Sequence, residues 1–189
     1  MMVAMAAPGI TRHRRPFLAP LWLTLLALLV AAGIAYTIYR GATTTVVVLA
    51  STGEKEPGTI EDPPISAEGD GRAQRLAQLF GGGGGLGQLD ALYVSSERRA
   101  QQTAAPLAEL LHLTPTGFNA PEAPATAASL LRSHEGASVL VIASSAAVQQ
   151  FLRQLSGPAE LPQAAGEADL LYIVSVPSFG RPHVLRLKY

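Results

Sequence analysis

The stretch VVVLASTGEK, residues 46–55, decides how the rest of the chain is read. Extended back to Thr43, its first half is β-branched and apolar without alternation. That is the pattern of a strand covered on both faces. Its second half, Ser51-Thr52-Gly53-Glu54-Lys55, is a short polar turn. Open α/β proteins bind their ligands outside the carboxyl ends of strands, so the groups on this turn are the first candidates for chemistry. Thr52 as a nucleophile would need a base or a lowered pKa. Otherwise a turn threonine bonds the local backbone. Glu54 and Lys55 read as solvated, and 54–64 as a proline-bearing loop.

Downstream, strands and helices alternate. Ser66 to Phe80 predicts a helix with Ser66 as N-cap and Leu76, Leu79 and Phe80 as its apolar stripe. Five glycines, 81–85, read as a flexible link. They contain a formal G-x-G-x-x-G at Gly82, Gly84 and Gly87. That motif binds dinucleotides only between a strand and a following helix, and here it follows a helix. LDALYV (89–94) predicts a second strand, and Ser96 is placed to cap a helix over Glu97–Leu111. Residues 114–124 are proline-rich and irregular, with a short helix near 125–133. SVLVIA (138–143) predicts a third buried strand. The helix over 145–155 turns Val148, Phe151, Leu152 and Leu155 inward. Residues 170–176 and 183–187 predict two last strands. The expected fold is α/β, a mostly parallel sheet with helices on both faces, occupying 43–189.

Upstream, FLAPLWLTLLALLVAAGIAYTIY (17–39) carries no charge over 23 residues. A transmembrane helix needs ~20 apolar residues. Arg12, His13, Arg14 and Arg15 precede it and Arg40 alone follows directly. The positive-inside rule then keeps residues 1–16 in the cytoplasm and puts the domain on the periplasmic or other extracytoplasmic side. A cleaved signal peptide is the alternative. Its apolar core would be shorter, ~7–15 residues, and Gly33-Ile34-Ala35 is a poor cleavage site.

The 14 basic and 14 acidic side chains cancel, so no bulk charge draws the chain to nucleic acid. With no cysteine there is no disulfide, thiol nucleophile or thiolate metal site. The four histidines, His13, His112, His134 and His183, do not pair at metal-ligand spacing, and neither a metal nor a cofactor is expected. Three strand ends converge at one edge of a parallel sheet. They carry Ser51-Thr52, the Ser95-to-Arg99 segment and Ser144-Ser145. Hydroxyls plus arginine can hold a phosphate. No histidine is near these ends in sequence. The bland readings are helix caps for Ser144 and Ser145 and a surface ion pair for Arg99.

In this order the motifs resemble the histidine phosphatase superfamily, with its phosphoglycerate-mutase-like fold. VVVLASTGEK resembles the family's first strand and Arg-His-x-Glu turn. DPPISAEGDGRAQRLAQLF (62–80) is similar to its D-P-x-L-T-x-x-G-x-x-Q-A helix entry. LDALYVSSERRAQQTAAPLAELL (89–111) resembles its second strand and S-x-x-x-R-x-x-Q-T-A helix. SVLVIASSAAVQQFLRQLSG (138–157) is similar to the strand that delivers a second histidine. The resemblance implies a phosphoryl-accepting histidine at the first turn, bound phosphate held by two arginines and a second histidine, and a carboxylate proton donor. Here Ser51-Thr52 stand where the family has Arg-His, and Ala143-Ser144 where it has Gly-His. Arg99, with Gln102 and Thr103 behind it, persists. The expected site is therefore a degenerate phosphate pocket of Ser51, Thr52, Arg99 and Ser144 with no catalytic residue.

Three functions follow as expectations. The first is an inactive, membrane-anchored scaffold with a protein partner in a membrane complex. The second is a binder of a phosphate-containing ligand. The third is a phosphatase that borrows His134 or His183 from elsewhere.

Overall fold

The computed structural model describes residues 21–41, 43–55, 62–81, 87–157 and 170–189. The chain divides into two compact units, 1–40 and 41–189. The first contributes helix α1, Leu21–Gly41. Residues 17–20 of the expected span, the basic segment 1–16 and His13 lie outside the described residues. The side chains described on α1, 22–37, are all exposed, Trp22 at 65% and Leu28 at 68% among them. Among the described residues no helix is long and apolar enough to cross a membrane.

The second unit is built on β1 (Thr44–Ser51), β2 (Ala91–Ser95), β3 (Thr116–Phe118), β4 (Ser138–Ala143), β5 (Leu170–Pro177) and β6 (His183–Lys188). These form one sheet in the order β3-β2-β4-β1-β5-β6. The β1–β4, β2–β4 and β2–β3 pairings are parallel, and β1–β5 and β5–β6 are antiparallel. The sheet is thus mixed, with its parallel part where the motifs lie.

Alternation across the sheet explains the continuous apolar runs. Val47 and Leu49 of β1 join Val139 and Val141 of β4 in one core with α4 (Ala123–Ser133) and α5 (Ser145–Ser156). Val48 and Ala50 join Leu140 and Ile142 in the other, with α2 (Ala67–Gly81) and α3 (Arg98–Leu111). A strand buried on both faces carries a continuous apolar run, as Val46–Ala50 and Val139–Ala143 do.

Sequence and structure differ at several places. β3 was expected to be irregular. Three residues cannot show a period, and its strand character comes from pairing with β2. Ser96 does not cap α3. The helix begins one residue later, with Glu97 at the cap position, and the Arg98 N–H donates to both carboxylate oxygens of Asp62, at 3.2 and 3.1 Å. A carboxylate at a helix N-terminus satisfies an orphan donor and complements the helix dipole. Ser66, by contrast, does cap α2, accepting from Gly69 N–H at 3.2 Å. Gly81, expected in the flexible link, is the last residue of α2, while Gly82 to Gly85, with Gly82 and Gly84 of the motif, lie outside the described residues.

Candidate functional site

Parallel pairing brings the expected residues to one edge. Ser51 is in register with Ala143, and the Thr52 N–H donates to the Ala143 carbonyl at 3.0 Å. Ser144 is therefore next to the first turn. Val94 pairs with Ile142, so β2 ends at the same edge and Arg99 sits in the first turn of α3 beyond it. Ser144 occupies the N-cap position of α5, but its side chain makes no capping hydrogen bond. Ser51 and Thr52 are buried, at 5% and 7% exposure. Arg99 and Ser144 are half-buried.

The turn after β1 is held by groups that the sequence reading treated as background. Gly53 N–H donates to Thr103 Oγ1 at 3.0 Å, and the Thr103 hydroxyl donates to the Arg99 carbonyl at 2.7 Å. Ile65 N–H donates to Gln102 Oε1 at 2.9 Å. The Q-T pair of the α3 motif thus ties two loops to the first turns of that helix.

Glu54, expected to be solvated, is instead ion-paired. Arg72 donates to Glu54 Oε1 at 2.6 Å and to the Thr52 carbonyl at 3.1 Å. Its side chain is 1% exposed and that of Glu54 30%. The Arg72 guanidinium also lies 5.9 Å from the Tyr189 ring centroid, a cation–π contact. Arg72 was missed as a site residue, although a signal existed. It falls at 72, 76, 80, in line with Leu76 and Phe80 on the buried stripe of α2. A charge at such a position must find a buried partner.

Gly53 and Gly69 let the turn and α2 touch. A Cβ on Gly69 would lie 3.0 Å from both the backbone N and O of Glu54, and one on Gly53 3.1 Å from Gly69 Cα. The backbone crossing that seats Glu54 against Arg72 therefore requires two residues without side chains.

The polar groups at this edge are hydroxyls, carboxylates and guanidinium groups. Arg99 Nε, Ser95 Oγ and Glu97 Oε2 are buried without a hydrogen-bond partner. Glu122, unplaced from sequence, lies in the short turn after β3, where its carboxylate accepts from Asn119.

No described histidine reaches the edge. His183 pairs with Ser175, and Ser175 with Val46, five residues short of Ser51. At ~3.4 Å per residue that is about 17 Å. The His134 carbonyl accepts from Thr45 Oγ1, also at the far end of β1, and its ring nitrogen meets Tyr93 OH at 3.1 Å. His112 closes the opposite end of α3, about 20 Å from Arg99 at ~1.5 Å per residue. The borrowed-histidine expectation thus meets a geometric obstacle. Two cavities flank α3. One of about 470 Å³ is lined by Val94, Ala104 and Gly117, and one of about 320 Å³ by Ile65, Gln102 and Pro106. Among the described residues no cluster of three His, Asp or Glu side chains could hold a metal ion.

Comparison with known proteins agrees with this architecture. The model of the histidine phosphatase superfamily, branch 1, matches residues 49–118, which run from the end of β1 through β3. Among solved structures, the protein histidine phosphatase SixA complexed with tungstate superposes with a TM-score of 0.62 at 21% identity, over 76% of this chain and 96% of that one. A mycobacterial glucosyl-3-phosphoglycerate phosphatase in complex with VO3 gives 0.58 at 15% identity, over 74% and 96%. A mycobacterial hydrolase gives 0.58 at 14%, over 77% and 99%. Compared by sequence with curated proteins, the chain matches none. The second unit has the histidine phosphatase fold.

Proposed function

We propose that this chain is a membrane-anchored, catalytically inactive member of the histidine phosphatase superfamily that serves as a binding or scaffold subunit. One observation carries the reading. Thr52 and Ser144, both alcohols, stand together at the strand ends where the resemblance places two imidazoles, and no described histidine lies within reach. A neutral hydroxyl without a base is a weak nucleophile. Loss of one member of a cooperative catalytic unit can cost on the order of 10⁶ in kcat. Two are replaced here, and Ser51 stands where the family's first arginine would be. The fold is kept by Gly53, Glu54, Arg72, Gln102 and Thr103, which suits a protein that retains a shape for a partner.

The anchor reading rests on the uncharged run 17–39 and on α1, whose described apolar side chains are exposed. The Thr37 hydroxyl donates to the Ile34 carbonyl at 2.8 Å, so this donor is satisfied within the helix, as lipid requires. The N-terminus is then cytoplasmic, the fold extracytoplasmic, and the partner a subunit of a membrane complex. Co-purification from membranes in mild detergent should yield a stoichiometric companion. The full chain should not hydrolyse p-nitrophenyl phosphate, and turnover that Arg99→Ala abolishes would overturn the reading.

A second reading, a binder of a phosphate-containing ligand, is favoured by the buried Arg99 Nε and Ser95 Oγ without partners. Ser51, Thr52, Arg99 and Ser144 would line its site. Calorimetric titration with inorganic phosphate should then give heat that Arg99→Ala removes. No heat at low salt would exclude it.

A further inference from the structure

The β5–β6 hairpin ends in Pro177-Ser178-Phe179-Gly180-Arg181-Pro182. Its tip is tied to the point where the chain enters the second unit. Ser178 N–H donates to the Thr43 carbonyl at 2.9 Å, Ser178 Oγ donates to the same carbonyl at 2.8 Å, and the two hydroxyls lie 3.0 Å apart. Thr43 is two residues past the end of α1 at Gly41. Two residues span at most ~7 Å. The hairpin tip is therefore bonded to a residue two positions along the chain from the last residue of α1.

The tip carries groups suited to one kind of surface. Phe179 is 74% exposed, the most exposed of the large apolar side chains among the described residues. Arg181 and His183 beside it are exposed too. Pro177 and Pro182 restrict φ on either side of the turn, and Gly180, at φ 120°, supplies a backbone conformation that an L side chain rarely adopts. An aromatic ring with an adjacent guanidinium is the pairing found where a protein meets lipid headgroups. The ring enters the acyl boundary and the cation meets phosphate.

We infer that the Phe179–Arg181 tip rests in the headgroup layer of the bilayer that holds α1, giving the fold a second membrane contact. The inference rests on the anchor reading. It has a consequence for the site. Ser178 and Thr43 lie at the start of β1, and Ser51, Thr52 and Ser144 at its end. The degenerate pocket is then held one strand length, about 25 Å at ~3.4 Å per residue, from the tethered end, where a partner can reach it.

The chain has a single tryptophan, Trp22, in α1, which makes the test clean. The Trp22→Phe/Phe179→Trp full chain is reconstituted in vesicles of phosphatidylglycerol and brominated phosphatidylcholine. Wild-type chain reports Trp22 in the same vesicles. The expected result is blue-shifted emission from position 179 with quenching by bromine near the headgroups, reduced when Arg181→Glu is added. Emission at 179 that stays red and unquenched while Trp22 is quenched would overturn the inference and leave the anchor standing. A blue shift without bromine quenching would also overturn it, since the tip would then be buried in protein. If Trp22 is unquenched as well, the anchor reading fails and the tip contact with it.

Discussion

Two regions share the carboxyl edge of the parallel strands, and they differ in kind. One is the brace of Gly53, Glu54, Gly69, Arg72, Gln102 and Thr103, tied by an ion pair and by backbone-to-side-chain hydrogen bonds. The other is the row of alcohols at Ser51, Thr52 and Ser144, next to Arg99 with a buried, unpartnered Nε. The brace joins three segments far apart in sequence, whereas Ser144 makes no capping bond with its own helix. A fold can lose reactive groups and keep its shape only if shape and reactivity are carried by different residues. Here they are.

The widest separation between the regions is expected from Glu54→Ala. It leaves the guanidinium of Arg72 buried without its carboxylate, and breaking a buried pair from one side costs about 3–5 kcal/mol. Urea denaturation of the full chain in mild detergent should show that loss. A loss under 1 kcal/mol would mean the pair is relaxed in solution and the brace is not electrostatic. Gly69→Ala comes next. Helix propensity alone would favour alanine by about 1 kcal/mol. The new methyl meets Glu54 backbone atoms at 3.0 Å, and overpacking of that kind costs roughly 1–3 kcal/mol. A net loss in the same denaturation experiment is expected, and a gain would show that α2 can back away.

Thr103→Val tests a single link. It keeps the shape but strands the buried Gly53 N–H, for about 1–2 kcal/mol. Faster amide exchange at Gly53 should accompany it. The smallest effect is expected from Arg99→Ala, within about 0.5 kcal/mol of wild type, as for a side chain outside the brace. A large loss of stability there would place Arg99 in the brace and erase the contrast.

How far the chain could be read without coordinates varies by element. β4 was read with its full boundaries, because both faces are buried and Val139–Ala143 run apolar without a break. α5 was read with its inward face, because Val148, Phe151, Leu152 and Leu155 keep the helical period. The convergence of Thr52, Ser144 and Arg99 at one edge was expected from the parallel sense of the strands, and β1, β4 and β2 are parallel. β3 escaped because its pairing partner is 23 residues away in the chain, Tyr93 opposite Thr116, and a run of three shows no period. Glu54 was misjudged because a carboxylate in a turn looks solvated until its cation is found on another element.

The sequence by itself determined the alternation of elements, the two-sided burial of the central strands, the uncharged N-terminal run and the identity of the groups at the strand ends. Those depend on local period, length and side-chain chemistry. Tertiary structure decided that Arg72 is buried against Glu54, that Thr103 and Gln102 hold the loops, that Asp62 caps α3, and that His134 and His183 lie at the wrong end of the sheet. Each of these is a meeting of residues distant along the chain. Such meetings are fixed by packing and register, which no window of sequence contains.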